Sequence, residues 1–231
     1  MMSIYNLTCV IAMVTAMVTM AVLTVHTRRN RVSVAGADSF MYVTALICVY
    51  TILEIMIYLS SSTSEALFWF NLRFIPIAFA PVFILKFVAA YSGRGDPLSR
   101  RVTLLLLIVP VVTQVMVWSN NFHHLWVVQN PGFYRAGNFF FADTSLRVLG
   151  PWIKVHYIYS YFLTVAGLVY LFYSAFRSHG LFRKKTFLLG TGFSLIVAGS
   201  FFPAVSFFPG MKAHPLPHAT ALGSLVIAFG V

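Results

Sequence analysis

The sequence has few charged residues. Only 9% of its 231 residues are Asp, Glu, Lys or Arg, and only five of them are acidic. A soluble domain carries about a quarter charged residues, because it must cover its surface with polar groups. Hydrophobic residues instead make up 59% of this chain. A soluble globular fold is therefore excluded. Most of the chain must be surrounded by lipid, where only helices and closed barrels satisfy the backbone.

The absence of disulfide-forming cysteines and of catalytic motifs excludes several classes of function. The two cysteines, Cys9 and Cys48, both lie in apolar runs, so no structural disulfide is expected. The sequence has no phosphate-binding GxxxxGK[ST] or GxGxxG motif, no HExxH motif and no paired carboxylates in a loop, so we expect no catalytic site and no cofactor. The net charge of +11 comes from short basic clusters between apolar runs, so we expect no nucleic acid partner.

Seven apolar runs are present, and they are continuous rather than alternating, which favours helices over strands. The runs are Ile4–Val25, Val34–Leu59, Ala66–Tyr91, Val102–Trp118, Trp152–Phe176, Thr186–Phe208 and Leu216–Val231. A membrane-spanning helix needs about 20 residues. The sequence therefore predicts an all-α membrane protein, with residues 1–231 forming one bundle of seven transmembrane helices. The seventh run stops at Val231 without a polar flank, so we expect a fragment whose last helix is truncated.

The charges of the connecting loops predict the orientation. The odd loops contain ten basic residues, three in loop one, three in loop three and four in loop five, whereas the even loops contain three. Those of the odd loops are Arg28, Arg29, Arg31, Arg94, Arg100, Arg101, Arg177, Arg183, Lys184 and Lys185. Those of the even loops are Arg135, Arg147 and Lys212. Basic loops stay in the cytoplasm. The N-terminus is therefore expected outside the cell membrane.

Loop four, from Ser119 to Pro151, is too long to be a simple connection. It contains the turn signal Asn130-Pro131-Gly132 between LWVVQ and GNFFFAD. We expect a small extracytoplasmic β-hairpin between helices four and five.

Two charged residues lie inside neighbouring apolar runs. Glu54 lies about 8 Å and Arg73 about 10 Å from the outer ends of their runs, at 1.5 Å per residue. A short loop makes the two helices antiparallel neighbours, so the sequence predicts a Glu54–Arg73 ion pair. A pair that contacts a ligand and a pair that only locks two helices together both remain open.

The fifth run opens with WIKVHYIYSYF. Lys154, Tyr157 and Tyr161 share one helix face, and His156 and Ser160 share the neighbouring face. These faces would line a pocket if they turned inward. We therefore add Lys154, His156 and Tyr157 to the candidate ligand-binding residues Glu54 and Arg73.

Five histidines map to the outer side: His123, His124, His156, His214 and His218. Their spacing does not provide a tetrahedral ligand set, so no metal site is expected. An outer polar pocket is the better interpretation, with His123 as a candidate ligand-binding residue at its mouth.

Three segments of the sequence carry a family resemblance. The first is Ser119, Asn120, His123 and Leu125 after helix four, which form the pattern Ser/Thr-Asn-x-x-His-x-Leu. The others are NLRFIPIAFAPVFILKFVAAYSG in the third apolar run and GPWIKVHYIYSYFLTVAG at the start of the fifth. The three segments resemble the seven-transmembrane N-terminal sensor region of bacterial and archaeal histidine kinases, the last two being similar to its third and fifth helices. In that family the seventh helix leads into cytoplasmic output domains.

The resemblance implies a membrane-embedded input domain that detects an extracytoplasmic or membrane-borne stimulus and signals to an output domain such as a histidine kinase. The expected partners are the lipid bilayer, a small-molecule or lipid ligand, a cytoplasmic signalling domain in the same chain and a second copy in a homodimer. The alternative is a small-solute transporter or channel subunit. No internal repeat supports that alternative. Any kinase activity would lie in the output domain.

Overall fold

Helices form along all seven apolar runs. A computed structural model describes residues 4–30, 36–92, 98–205 and 216–231. The helices in these ranges are α1 (Ile4–Arg29), α2 (Ala37–Tyr58), α3 (Thr63–Leu72), α4 (Phe74–Tyr91), α5 (Arg100–Trp118), α6 (Asn120–His123), α7 (Pro151–Arg177), α8 (Gly180–Val205) and α9 (Leu216–Gly230). The predicted helix limits Val34 and Phe208 lie outside the described residues.

Several of these helices can cross a membrane. Among the described residues, five helical segments are long and apolar enough: Asn6–Arg29, Ala37–Tyr58, Thr63–Tyr91, Arg100–Trp118 and Pro151–Arg177. The apolar helix α9 has only 15 residues, fewer than the usual lower limit of about 17. The chain is a multi-pass membrane protein, and the full set of seven spans stays a prediction.

The third apolar run forms two helices rather than one, with Arg73 between them. The N–H of Arg73 donates to the carbonyl of Trp69 at 3.0 Å, which completes the last turn of α3. Pro76 in the first turn of α4 has no N–H to donate to the carbonyl of Leu72, and its ring crowds that carbonyl. The interruption therefore lies within the turn that precedes a proline, and it places the Arg73 side chain at a helix junction.

The core has two main parts. One lies between α1, α2, α4, α7, α8 and α9, around buried residues such as Val43, Phe87 and Leu171. The other lies where α3, α4 and α7 meet the segment between α5 and α7, around Phe70, Trp126 and similar residues. This second part fixes the polar segment of loop four onto the helix ends.

Four short strands follow α6. Strand β1 (Val127–Gln129) pairs antiparallel with β4 (Val148–Leu149), and β2 (Gly132–Ala136) pairs antiparallel with β3 (Phe139–Asp143). A 3₁₀ turn, Thr144–Leu146, separates β3 from β4.

The turn signal Asn130-Pro131-Gly132 does not join two paired strands. The turn Asn130-Pro131-Gly132 connects β1 to β2, but those two strands belong to different two-stranded sheets. The tight connection is Gly137-Asn138, between paired Ala136 and Phe139, and Gly137 has φ +62°. Two-residue connections between antiparallel strands require positive φ, which glycine adopts without strain. This short turn therefore sets the register, and the proline turn serves as a link between sheets.

The helix directions give the bundle two distinct ends. At one, here called the strand end, Phe141 of β3 packs on Tyr58 at the end of α2, with ring centroids 4.9 Å apart. At the other, the basic end, Tyr91 at the end of α4 stacks on Phe182 at the start of α8, at 5.2 Å. Loops two and four therefore lie at one end of the bundle and loop five at the opposite end.

Candidate functional site

The predicted ion pair between α2 and the α3–α4 junction is confirmed. Nη1 of Arg73 donates to Oε2 of Glu54, and the two side chains are 12% and 11% exposed. The guanidinium also lies 3.9 Å from the centroid of the Phe70 ring. Its Nε is buried and has no hydrogen-bond partner among the described residues. The pair therefore neutralises one cation but leaves one of its donors unused.

A second buried arginine lies beside this pair. Nη1 of Arg147 donates to the hydroxyl of Tyr157 at 3.4 Å, while its Nε and Nη2 are buried and, in the part of the chain that the structure describes, have no hydrogen-bond partner. The guanidinium lies 5.5 Å from the Phe70 centroid and 5.4 Å from that of Phe74. Burial lowers the pKa of Arg147 below its ordinary value, because desolvation penalises the charged form. Its free donors make it the strongest anion-binding candidate in this part of the protein.

Both arginines line a cavity of about 210 Å³. It lies between α2, α4, α7, α8 and α9, and at the strand end it is bordered by Thr144 and Arg147. Its larger polar side chains are Tyr50, Arg73, Arg147, His156, Tyr157 and Tyr161. Its apolar wall includes Leu46, Ile77, Ala80, Ile84 and Val197. The cavity is thus polar near the strand end and apolar farther along α4.

His156 is fully buried on the cavity wall. Its Nδ1 lies 3.3 Å from Oγ1 of Thr113, and its Nε2 lies 3.5 Å from Oγ of Ser160. The ring also packs edge-on against Trp126 at 5.7 Å. With both nitrogens beside hydroxyl groups, the imidazole is held in one orientation by hydrogen bonds.

The predicted site residues do not all meet. Arg73, His156 and Tyr157 line the cavity, and Glu54 reaches it through Arg73. Lys154 is exposed in the first turn of α7 and does not line the cavity. The shared face predicted for α7 therefore contributes tyrosines but no lysine.

His123 also lies away from the cavity. Its Nε2 is 2.9 Å from Oγ of Ser119, and its Nδ1 accepts a hydrogen bond from the N–H of Leu125 at 2.9 Å. The histidine therefore closes the turn after α5.

Asn120 organises the same turn from inside. Its Oδ1 accepts from the N–H groups of Trp126 and Val127 at 3.0 and 3.1 Å, and its Nδ2 donates to the carbonyl of Val127 at 2.9 Å. The carbonyl of Leu125 in turn accepts from the N–H of Trp152 at 2.9 Å. The motif residues thus connect the end of α5 to the start of α7.

The other histidines that were predicted to lie outside do not converge either. His124 is exposed with φ +54°, and the Nε2 of His218 lies 3.0 Å from Oγ1 of Thr8. His214 lies outside the described residues. Over the described ranges, no group of three or more His, Cys, Asp or Glu side chains stands close enough to hold a metal ion.

Sequence reasoning missed Arg147. Its charge was counted only toward loop topology, because a loop arginine is ordinarily solvated. The available signal was its position between two aromatic-rich stretches of a long loop.

Comparison with known proteins gives one match. The family model described as the N-terminal 7TM region of histidine kinase matches residues 7–231. No curated protein and no solved structure matches the chain.

Proposed function

The chain belongs to the N-terminal 7TM regions of histidine kinases, and on this basis we propose that it is a sensory input domain whose stimulus is a small molecule bound in the cavity between α2, α4, α7, α8 and α9. The proposed output is a cytoplasmic histidine kinase in the same chain. The input domain itself contributes binding and not catalysis.

One observation carries the proposal: buried arginine donors without protein partners line a cavity that α9 also borders. Nε of Arg73 and both Nε and Nη2 of Arg147 are such donors. Leaving a buried donor unpaired costs about 1–3 kcal/mol, and more when the group is charged. Such groups in a membrane bundle are ordinarily functional.

The position of α9 supports a route from the cavity to the output. Leu216 and Thr220, in its first two turns, line the cavity. By family resemblance the last helix leads into the output domain. A bound molecule would therefore contact the same helix that passes the signal on.

The binding step must favour one state of the bundle over another. A ligand shifts a two-state equilibrium only by its difference in affinity for the two states. A tenfold difference corresponds to about 1.4 kcal/mol and changes the ratio of the states tenfold.

The test is a chimera with a histidine kinase output domain, assayed for autophosphorylation in membrane vesicles. Thr220→Leu places extra volume in the cavity beside α9 and should imitate an occupant. We expect the basal autophosphorylation rate to change severalfold. The Thr220 hydroxyl donates to the carbonyl of Leu216 in its own helix at 2.7 Å, so Thr220→Val should preserve the rate.

A control variant on the opposite face of α9 distinguishes the effect of filling the cavity from the effect of changing a side chain elsewhere on the helix. Leu222 is 53% exposed, and Leu222→Val should leave the rate unchanged. Identical rates for all chimeras and for the output domain alone would refute the sensory role. Movement of solute across vesicles, without any effect on a fused output, would favour the transporter alternative.

A further inference from the structure

The charge of the cavity is unbalanced. Arg73 and Arg147 contribute two positive charges, and Glu54, which pairs with Arg73, contributes one negative charge. Within the part of the chain that the structure describes, no acidic residue lines the cavity. One positive charge therefore remains without a counter-charge.

The free donors have a defined shape. The Nε and Nη2 groups of Arg147 form one edge of the planar guanidinium; both are buried, and no described residue forms a hydrogen bond with either. Two parallel N–H groups of this kind match the two oxygens of a carboxylate. The remaining nitrogen, Nη1, donates to the Tyr157 hydroxyl. This hydrogen bond orients the free edge.

The α4 side of the cavity is suited to a hydrocarbon group, and on the other helices the hydroxyl groups of Thr164, Ser200 and Thr220 donate to carbonyls of their own helices. Ile77, Ala80 and Ile84 follow one another along α4, and Ile84 lies about 16 Å beyond Arg73 at 1.5 Å per residue. The volume of about 210 Å³ exceeds the roughly 150 Å³ that accommodates benzene in an engineered apolar cavity. The cavity thus has a cationic end and an apolar body.

Given the sensory role proposed above, we infer that the ligand is a carboxylic acid bound as its anion, with the carboxylate on the free edge of Arg147 and an apolar group directed toward Ile84. A phosphate monoester carries about −1.5 to −2 charges near neutral pH, more than the single unpaired cation here. Free acids in water and fatty acids in the bilayer share the required chemistry.

The experiment is a calorimetric titration of the purified chain in nanodiscs with hexanoate, 1-hexanol and acetate. We expect hexanoate to bind at least tenfold more tightly than 1-hexanol, because only the anion pairs with Arg147. It should also bind more tightly than acetate, by roughly fourfold per added methylene, the factor for burying one CH₂ group.

Variants locate the binding site. Arg147→Gln should weaken hexanoate binding at least tenfold and leave 1-hexanol binding within about twofold, whereas Arg147→Lys should give an intermediate affinity. Arg135 lies in the same segment but is exposed, stacked on Phe140 at 5.2 Å, so Arg135→Gln is the matched control.

Ala80→Leu tests the apolar end without changing a charge. The larger side chain should abolish the tighter binding of hexanoate relative to acetate, and this outcome remains measurable even if Arg147→Gln does not fold.

A competition experiment identifies the source of the ligand. Displacement of hexanoate by tetradecanoate supplied in the bilayer would indicate that the ligand enters from the membrane, and absence of displacement would indicate that it enters from water. Equal binding of hexanoate and 1-hexanol, or no binding of hexanoate, would overturn the inference. Neither result bears on the chimera assay, because the effect of Thr220→Leu on kinase output does not depend on ligand charge.

Discussion

At the residue scale, the polar cluster after α5 has a structural task. The side chain of Asn120 uses both its acceptor and its donor inside the turn, and it is only 9% exposed. Its neighbour Asn121 is exposed. Substituting each of the two adjacent asparagines therefore compares a buried, hydrogen-bonded side chain with an exposed one in the same turn.

Asn120→Ala should destabilise the protein by about 2–4 kcal/mol, because the buried N–H groups of Trp126 and Val127 lose their acceptor. Asn121→Ala should change the stability by no more than about 0.5 kcal/mol. Unfolding of the purified protein in mixed micelles would measure both. Equal stabilities of the two variants would show that the turn does not depend on Asn120.

The same scale shows where sequence reasoning succeeds and fails. The Glu54–Arg73 pair could be predicted, because regular helix rise and a short loop fix the relative depth of the two residues. Arg147 could not, because its burial depends on a long loop folding back over Phe70 and Phe74. The prediction that Lys154 lines the pocket was wrong for a simpler reason. Residues on a shared helix face do not all reach the cavity, and Lys154 in the first turn of α7 is exposed instead.

At the element scale, α8 and α9 approach each other through glycines. A Cβ on Gly223 would lie 2.6 Å from the carbonyl oxygen of Gly192, and one on Gly192 would lie 2.7 Å from the carbonyl oxygen of Gly223. Small residues allow such close backbone contact between helices in membranes. The position of α9, and with it the proposed signalling route, depends on this contact.

Gly223→Ala should therefore destabilise the protein by roughly 1–3 kcal/mol, the usual cost of overpacking, because a backbone oxygen cannot rotate away. Gly167→Ala on α7 is the matched control, since the nearest atoms to a Cβ there lie at 3.7 Å or more. Thermal unfolding in detergent would compare them. If Gly223→Ala is as stable as Gly167→Ala, the two helices are not held by their glycines.

Elements differ in how far they could be predicted. Helices along the apolar runs follow from composition, because lipid leaves the backbone no other partner. The interruption at Arg73 depends on Pro76, a local signal that a count of apolar residues does not register. The strand pairing was decided by Gly137-Asn138, whose two-residue spacing outweighs the more conspicuous proline turn.

At the scale of the whole molecule, charge is distributed unevenly between the two ends. Described basic residues at the basic end include Arg28, Arg29, Arg100, Arg101, Arg177, Arg183, Lys184 and Lys185. Arg31, Arg94 and Lys212 lie outside the described residues. At the strand end, Arg135 and Lys154 are exposed and Arg147 is turned into the protein. The strand end thus exposes fewer described basic residues than the basic end.

This asymmetry predicts that the basic end faces the cytoplasm and the strand end faces outward, because loops rich in Lys and Arg are retained inside. In a background with Cys9→Ala and Cys48→Ala, single cysteines can be placed at three exposed positions: Ser64, Asn138 and His179. A membrane-impermeant maleimide applied to intact cells should label Ser64→Cys and Asn138→Cys but not His179→Cys. Lysed cells should label all three, which controls for reactivity. Labelling of His179→Cys alone in intact cells would reverse the orientation and would place the cationic end of the cavity on the cytoplasmic side.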